Sequence, residues 1–239
     1  MSPSRLEDRA DSVRRFYALL DRLERNVGGR RTLADAHGRL DWPARGVYFF
    51  FEPGEGRNSS GTWDRVVRIG THALKTGGAT TLWKRLSQHQ GIQKSGGGNH
   101  RGSVFRHHVG LALISRDDMR GPGAETWGRG SSAGRQIREK EHDIERAVSA
   151  HIRSMPFLWL GIDDLPGPDS LRGYVERNAI ALLSNFGKPD PVDQPSVRWL
   201  GRWAKHEKIR KSGLWNVNHV DGKPDPKFLD VLETLIRST

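Results

Sequence analysis

Two short, strongly β-forming runs that lie close together place the tightest limit on how this chain can fold. Residues 46–51 read GVYFFF and residues 65–70 read RVVRIG, and the segment between them is rich in Pro, Gly, Asn and Ser. Runs of β-branched and aromatic residues bounded by turn formers predict strands, and two such runs in succession predict a hairpin. We therefore expect an antiparallel hairpin with a long loop.

Helical and strand-like patterns surround this hairpin in the sequence. Apolar residues recur at helical spacing over 11–26, 80–90, 135–153, 171–186 and 196–211, next to capping or breaking residues such as Asp11, Gly91 and Pro156. Alternating apolar and polar residues predict a third strand over 104–115, and the apolar run FLWLGI predicts a short strand over 157–162. This order of elements predicts an α+β domain built around a small sheet.

Composition excludes several classes of site and compartment. The 239 residues include no cysteine, which excludes disulfides, thiolate zinc sites and cysteine nucleophiles. A metal ion could therefore bind only through oxygen or imidazole nitrogen. No apolar run approaches the roughly 20 residues that a membrane-spanning helix needs, and the N-terminal residues lack the apolar core of a signal peptide. We expect a cytoplasmic protein with no membrane partner.

Positive charge is concentrated in one span of the sequence. The chain has 39 Lys and Arg against 28 Asp and Glu, a formal net charge of +11. Between Arg65 and Arg116 there is no acidic residue, while the same span holds nine Lys or Arg and five His. An ordinary solvated surface intersperses both signs, so this span favours a groove for phosphates and predicts a nucleic-acid partner.

Glu176 is the residue whose position is hardest to explain as ordinary packing. At 100° per residue its predicted helix places Ala179, Ile180 and Leu183 close to it, so the carboxylate lies in the apolar arc. A carboxylate that faces a core needs a cation, a ligand or a metal, and a buried salt bridge is the structural alternative. Glu141 has a similar position and is the reserve candidate.

Polar residues of the acid-free span supply further candidates. Arg85 and His89 are four residues apart on a predicted helix, so they share a face and suit a bound phosphate with a proton carrier beside it; a simple surface pair is the alternative. Tyr48 lies in the first strand, where a core position is the simplest interpretation. The Gly-rich segment before residue 104 offers donors for phosphates and base edges, although it also suits an ordinary turn. These donors are Asn99, His100, Arg101, Ser103 and Arg106.

In their order along the chain these residues form a recognisable set. It comprises Gly46-Val47-Tyr48, then Arg68-Ile69-Gly70, then Arg85 and His89 on a helix, and finally Glu176 in YVERNAI. Over residues 45–186 the set resembles the GIY-YIG nuclease superfamily. The resemblance implies a three-stranded antiparallel sheet flanked by helices and a divalent metal that supports hydrolysis of a DNA phosphodiester. Arg68 stands where the second half of the motif usually has tyrosine.

The resemblance assigns roles to individual residues. Tyr48, Arg85 and His89 match the catalytic tyrosine, the helix arginine and a histidine one turn later, and Glu176 matches the glutamate that binds Mg²⁺ or Mn²⁺. His72, directly after the second strand, is a further candidate for proton transfer. Arg68 and Lys84 join the residues of the Gly-rich segment as expected nucleic-acid contacts.

Three functional readings follow from these assignments. The first is a metal-dependent endonuclease acting on DNA, with restriction, mobile-element or defence biology as open options. The alternative is a catalytically altered DNA-binding module of the same fold, and an RNA-directed nuclease is a third reading; a homodimer is compatible with each of them.

The same resemblance divides the chain into three parts. We predict a helical N-terminal extension over residues 1–40 and a GIY-YIG-like nuclease domain over 41–190, with an insertion near 116–171. A basic helical C-terminal extension over 191–239 is expected to pack on that domain.

Overall fold

A four-stranded antiparallel sheet forms the centre of the computed structural model, which describes residues 8–239. Its strands are β1 (Arg31–Thr32), β2 (Gly46–Gly56), β3 (Asp64–Gly70) and β4 (Pro156–Gly161), in the spatial order β1-β4-β2-β3. Because β1 has only two residues, three strands carry the sheet. The predicted α+β fold with a small antiparallel sheet is confirmed. The first seven residues of the predicted N-terminal extension lie outside the described residues.

The predicted hairpin is present as β2 and β3, and its register sets the position of the motif residues. Tyr48 lies opposite Gly70, and Phe50 lies opposite Arg68, before a bulge that follows Phe50. Because side chains alternate across a strand, Val47 and Phe49 point to one face and Tyr48 and Phe50 to the other. The hairpin therefore places Tyr48, Gly70 and Arg68 on the same face of the sheet.

Helices cover both faces of the sheet. In chain order they are α1 (Arg9–Asn26), α2 (Leu82–Gln90), α3 (Val104–Arg116), α4 (Pro122–Thr126), α5 (Arg135–Lys140), α6 (His142–Arg153), α7 (Leu171–Leu183), α8 (Glu207–Ser212) and α9 (Phe228–Arg237). Side chains of α1, α7 and α9 share one apolar core with Val47 and Phe49, and those of α2, α3 and α6 share a second core with Tyr48 and Phe50. No helix within residues 8–239 is long and apolar enough to cross a membrane.

The strand predicted over 104–115 is wrong, because this segment forms α3. Ser103 caps the helix by accepting a hydrogen bond from the backbone N–H of Arg106 at 3.2 Å. Phe105, Val109 and Leu113 lie four residues apart and are buried, which satisfies the helical period as well as the alternation. Besides β2 and β3, the sheet's remaining strand of more than two residues is β4. It confirms the short strand predicted over 157–162.

Two predicted helices are shorter than the sequence pattern indicates. The helix expected over 135–153 is divided at Glu141 into α5 and α6. The helix expected over 196–211 is replaced by a 3₁₀ turn at Leu200–Trp203 and the six-residue α8, because Ala204 is extended and His206 caps a new helix. Only short helical pieces therefore carry the basic residues of this region.

A segment near the C-terminus covers the free edge of the sheet. The backbone N–H of Trp215 donates to the carbonyl of Val67 at 2.7 Å. The Asn216 amide accepts from the Ile69 N–H at 3.1 Å and donates to the Ile69 carbonyl at 2.8 Å. These bonds satisfy backbone groups of β3 that no other strand of the described sheet pairs with, and they bring the following residues to the end of β3.

Candidate active site

The end of β3 opens into a cleft of about 420 Å³ that collects residues from five parts of the chain, one of which is α3 through Val104. Arg68 and Thr71 come from the end of β3, and Arg85 comes from α2. Glu176 comes from α7 and Asn216 from the segment that covers the sheet edge. Although α2 and α7 pack on opposite faces of the sheet, their side chains meet at its end, so Arg85 and Glu176 line one cavity.

The Glu176 carboxylate is half-buried and faces this cleft. Within residues 8–239 no side chain forms a salt bridge or a hydrogen bond with it. Burial raises the pKa of Glu176, while the nearby charges of Arg68, His219 and Arg85 act in the opposite direction. The described residues therefore contain no buried salt bridge that would explain this carboxylate.

Arg85 projects from a well-defined short helix. Thr81 caps α2 by accepting from the Lys84 N–H at 3.2 Å, and Gly91, with φ of 76°, ends it. Nη1 of Arg85 donates to Gln88 Oε1 at 3.0 Å and lies 3.5 Å from the Gly102 carbonyl. Its Nε is buried and has no partner among the described residues. Part of the guanidinium is thus anchored, and part remains available to a ligand.

Tyr48 and His89 form a buried pair behind the cleft. The Tyr48 hydroxyl and His89 Nε2 share a hydrogen bond of 2.8 Å, and His89 Nδ1 shares another of 2.8 Å with Ser103 Oγ. Tyr48 and His89 are both 0% exposed. Burial first, and then the charges of Arg85, Arg68 and Arg106, hold the pKa of His89 well below its usual value. The imidazole is therefore neutral at neutral pH, so one of its ring nitrogens can accept a hydrogen bond.

Gly70 is required for Tyr48 to occupy this position. A Cβ atom on Gly70 would lie 2.7 Å from Cε2 of Tyr48, and closer still to Cζ and the hydroxyl oxygen. Real Cβ atoms do not approach other atoms so closely, which explains why glycine closes the second half of the motif. Thr71, which follows Gly70 directly, lines the cleft. The Tyr48–His89 pair therefore lies immediately behind the cleft wall.

Comparison with known families agrees with this motif order. A family model described as a GIY-YIG domain matches residues 7–239. The chain belongs to the GIY-YIG family. No curated protein and no solved structure matches it. GIY-YIG domains are typically nucleases and typically use divalent metals, and the match confirms the family resemblance found in the sequence.

In this GIY-YIG chain several residues predicted to contact nucleic acid lie in the interior instead. Arg106 is buried and donates to Glu145 Oε2 from Nε at 3.1 Å and from Nη2 at 2.5 Å. His100 is buried as well, binds Glu145 and stacks on Trp127. Ser103 is committed to His89 and to capping α3. These three positions are corrected: they stabilise the loop and α3 from within.

The remaining predicted contacts are distributed over the surface and the cleft. Arg101 donates to both carboxylate oxygens of Glu141, at 2.7 and 2.8 Å, so the reserve metal candidate is occupied by a salt bridge. Lys84 and Asn99 are exposed, and Arg68 lines the cleft. Arg101 is thus committed within the GIY-YIG domain, whereas Lys84, Asn99 and Arg68 remain available to a ligand.

His72 is buried next to the cleft residue Thr71 but does not line the cavity. Neither ring nitrogen has a hydrogen-bond partner among the described residues. Burial, and then the charge of Arg172, lower the pKa of His72 to about 4. His72 has no hydrogen bond within residues 8–239 through which a proton could pass, whereas His89 is bonded to the Tyr48 hydroxyl, so His72 stays a weaker candidate than His89.

In the folded structure, acidic residues from other segments lie next to the acid-free span 65–116. Glu55 pairs with Arg65 at 2.8 Å, and Glu141 and Glu145 pair with Arg101 and Arg106. Arg116 pairs with the neighbouring Asp117. Five of the nine cations form no salt bridge among the described residues, namely Arg68, Lys75, Lys84, Arg85 and Lys94. The unpaired positive charge of this span is therefore smaller than the sequence predicts.

The cleft also contains two residues that the sequence did not indicate. Asn218 and His219 lie more than 40 positions after Glu176 in sequence and reach the cleft through the segment that covers β3. No local pattern marks them, because their placement depends on side-chain bonds to a distant strand. A larger cavity of about 830 Å³, near Trp63 at the other end of the sheet, contains none of the predicted site residues.

The donor set of the cleft fits a hard divalent cation. Among residues 8–239 no cluster of three or more His, Cys, Asp or Glu side chains could enclose a metal ion. Mg²⁺ nevertheless binds in many enzymes through one or two carboxylates, with water and substrate phosphate completing its shell. Glu176 supplies one carboxylate, which pairs with no side chain in the part of the chain that the structure describes and lines the cleft, so it is the residue that would hold the ion.

Proposed function

We propose that this chain is a divalent-metal-dependent endonuclease that hydrolyses phosphodiester bonds of DNA. The observation that carries the proposal is the cleft in which Glu176 and Arg85 meet, with the Tyr48–His89 pair directly behind its wall. Hydrolysis of a phosphodiester needs a cation for the phosphate, an acceptor for the proton of the attacking water and charge stabilisation at the leaving oxygen. The residues of the cleft can supply the first two.

Arg85 is assigned to the scissile phosphate. Its Nη1 is held by Gln88 and by the turn at Gly102, while Nε is buried without a partner. A guanidinium binds phosphate oxygens with parallel N–H groups, and a fixed orientation lowers the entropy lost on binding. Arg85 would therefore both attract the DNA backbone and orient the bond that is cut.

Glu176 is assigned to Mg²⁺ or Mn²⁺. A bound divalent cation would supply Lewis-acid stabilisation of the negative charge that develops during hydrolysis. Arg68 and Arg85 favour the ionised form of Glu176 against the effect of burial, and the ionised form is the one that binds cations. These arginines would thus offset part of the effect of burial on Glu176, which raises its pKa, while also binding phosphate.

The Tyr48–His89 pair is assigned to proton transfer. If the Nδ1–H of His89 donates to Ser103 Oγ, Nε2 is the acceptor for the Tyr48 hydroxyl. The phenol oxygen can then take a proton from the attacking water as its own proton passes to the neutral imidazole. Since Tyr48 has no exposed surface, the proposal requires the wall of the cleft near Thr71 to move when DNA binds.

The test is cleavage of supercoiled plasmid with Mg²⁺ and with EDTA. We expect nicking or linearisation with Mg²⁺ only, and Glu176→Gln should abolish it while DNA affinity is retained or raised, because a negative group leaves the phosphate site. Glu125→Gln is the matched control, since Glu125 is exposed and distant in sequence from the cleft. A Glu176→Gln protein that cuts at the parental rate would refute the metal assignment.

Thermal melting separates this outcome from a structural role. If Glu176 only neutralised a buried arginine, its replacement would cost about 3–5 kcal/mol of unfolding free energy. An inactive variant that melts within a few degrees of the Glu125→Gln control therefore supports the catalytic role. A large fall in melting temperature would instead indicate a stabilising pair.

The second candidate is a DNA-binding module without catalysis. The complete burial of Tyr48 and His89, and the presence of Arg68 at the second motif position, are the observations that favour it. Retarded mobility of uncut DNA in the presence of Mg²⁺ would support the module. Competition between DNA and RNA of equal length identifies which nucleic acid is bound more tightly.

A further inference from the structure

Arginine side chains elsewhere in this molecule show how their guanidinium groups are used. Arg65 directs Nε and Nη2 to Glu55 at 3.2 and 2.8 Å, and Arg106 directs the same two nitrogens to Glu145. Arg116 does likewise towards Asp117, at 2.6 and 2.9 Å. In each case the Nε–Nη2 edge of the guanidinium, which presents two N–H groups side by side, binds a single carboxylate.

The cleft contains two arginines in which this edge is unfilled. Nη1 of Arg68 donates to the Trp215 carbonyl at 2.9 Å, and Nη1 of Arg85 is bound to Gln88. In both residues Nε is buried and has no partner among residues 8–239. Arg68 is only 9% exposed and packs over the ring of Phe105. Two anchored guanidinium groups that line one cavity thus leave this edge without a partner within the described residues.

An unpaired guanidinium in a buried position is unfavourable unless something binds it. Glu176 lines the same cavity but makes no salt bridge with either arginine. The arrangement is therefore complementary to an anion that enters from outside. The oxygens of a tetrahedral phosphoryl group point in different directions, so they can accept hydrogen bonds from two arginines at once. Glu55, Glu145 and Asp117, by contrast, each bind the Nε–Nη2 edge of one arginine.

We propose that Arg68 is a second phosphate-binding catalytic residue, which together with Arg85 clamps the non-bridging oxygens of the scissile phosphodiester. This inference rests on the proposed nuclease function. It gives a role in that function to Arg68, the cation at the second motif position. Because the phosphoryl group gains negative charge as water adds to it, a second cation stabilises the transition state more than bound DNA. Arg68 should thus affect the cleavage rate more than DNA affinity.

Two substitutions separate charge from geometry. Arg68→Met removes the cation, and Arg68→Lys keeps a cation that can still donate to the Trp215 carbonyl but loses the paired N–H edge. Arg120→Met and Arg120→Lys are the matched controls, because Arg120 is 83% exposed and lies on a turn after α3. The single-turnover rate of plasmid cleavage with Mg²⁺ and the affinity for the same plasmid in EDTA are measured for each protein.

We expect Arg68→Met to lower the single-turnover rate by about 10²–10³-fold and Arg68→Lys by about tenfold or more, with DNA affinity reduced by less than about tenfold in both. The Arg120 variants should cleave at the parental rate. If Arg68→Met fails to fold, Arg68→Lys decides alone. If Arg68→Lys cleaves plasmid at the parental single-turnover rate, the clamp is overturned. That result would show that a positive charge near Glu176 is sufficient for cleavage and that the paired N–H edge is not needed.

A metal-free measurement distinguishes failure of the clamp from failure of the nuclease assignment. Inorganic phosphate is titrated with the protein in EDTA, and broadening of its ³¹P resonance reports binding. Broadening by the parent and by Arg120→Met that is lost in Arg68→Met supports the clamp even if the parent cleaves no DNA. Equal broadening by the parent and Arg68→Met, or no broadening by the parent, overturns it.

Discussion

Replacing Gly70 with alanine tests whether the close approach of Tyr48 to β3 holds the Tyr48–His89 pair in place. The new methyl group would lie 2.7 Å from Cε2 of Tyr48 and closer to Cζ and the hydroxyl oxygen. Tyr48 has no exposed surface, and its ring lies edge-on to Phe50 and His89 at centroid distances of 5.6 and 5.4 Å. The ring therefore cannot move aside without disturbing the core.

Two costs should add in the Gly70→Ala protein. Overpacking of a filled core costs about 1–3 kcal/mol. Displacement of the hydroxyl also leaves His89 Nε2 buried without a partner, which costs about 1–3 kcal/mol. We expect the unfolding free energy to fall by about 2–5 kcal/mol, together with loss of plasmid cleavage. Urea denaturation followed by circular dichroism measures the change.

Gly56→Ala is the control, because Gly56 lies on the same hairpin and a Cβ there would meet nothing within 4 Å. Tyr48→Phe removes the hydrogen-bond partner of His89 Nε2 without adding volume. It should therefore show only the cost of the unpartnered ring nitrogen and not the cost of overpacking. The reasoning is refuted if Gly70→Ala unfolds within about 0.5 kcal/mol of Gly56→Ala. It is also refuted if Tyr48→Phe is as destabilising as Gly70→Ala.

Three further predictions concern charge. Since five cations of the 65–116 span form no salt bridge within residues 8–239, the slope of log affinity for duplex DNA against log salt should be near −4.5, a loss of several hundredfold between about 50 and 200 mM; fluorescence anisotropy measures it, and a slope shallower than about −2 would contradict such a surface. Burial lowers the pKa of His72 from an ordinary value of 6.5 to about 4 in the folded protein, so the unfolded chain takes up the proton first and stability falls from pH 6.5 towards 4; in urea denaturation the loss should be smaller by about 1–3 kcal/mol in His72→Gln than in the parent. Glu145→Gln leaves the buried Arg106 without a charged partner and should cost about 3–5 kcal/mol, measured by thermal melting against Glu125→Gln, with no change in DNA affinity.

The parts of the fold and site that the sequence predicted depend on local patterns. The hairpin could be predicted because β-forming runs and turn formers are adjacent, and Arg85 and His89 because residues four apart on a helix share a face. Glu176 could be singled out because its charge interrupts an apolar arc. The family resemblance then depended on the order of these features along the chain. The family match over residues 7–239 confirms that resemblance.

The parts that were wrong depend on non-local contacts. Phe105, Val109 and Leu113 satisfy both a strand and a helix pattern, and only Ser103 and the surrounding core select α3. The charge prediction was wrong for part of the 65–116 span, for a related reason. Arg101 and Arg106 are paired with acids 40 and 39 residues away, so the absence of acids nearby in sequence gave no information about their surroundings.

The contact between Asn216 and β3 has a consequence for solubility. Its side-chain amide takes the place of one residue of a neighbouring strand, occupying both backbone groups of Ile69. An exposed strand edge with free N–H and carbonyl groups can pair with the same edge of another molecule and lead to aggregation. A protein lacking the residues after 213 would expose Val67 and Ile69 in this way. We therefore expect such a shortened chain to self-associate through β3, even where its helices still fold.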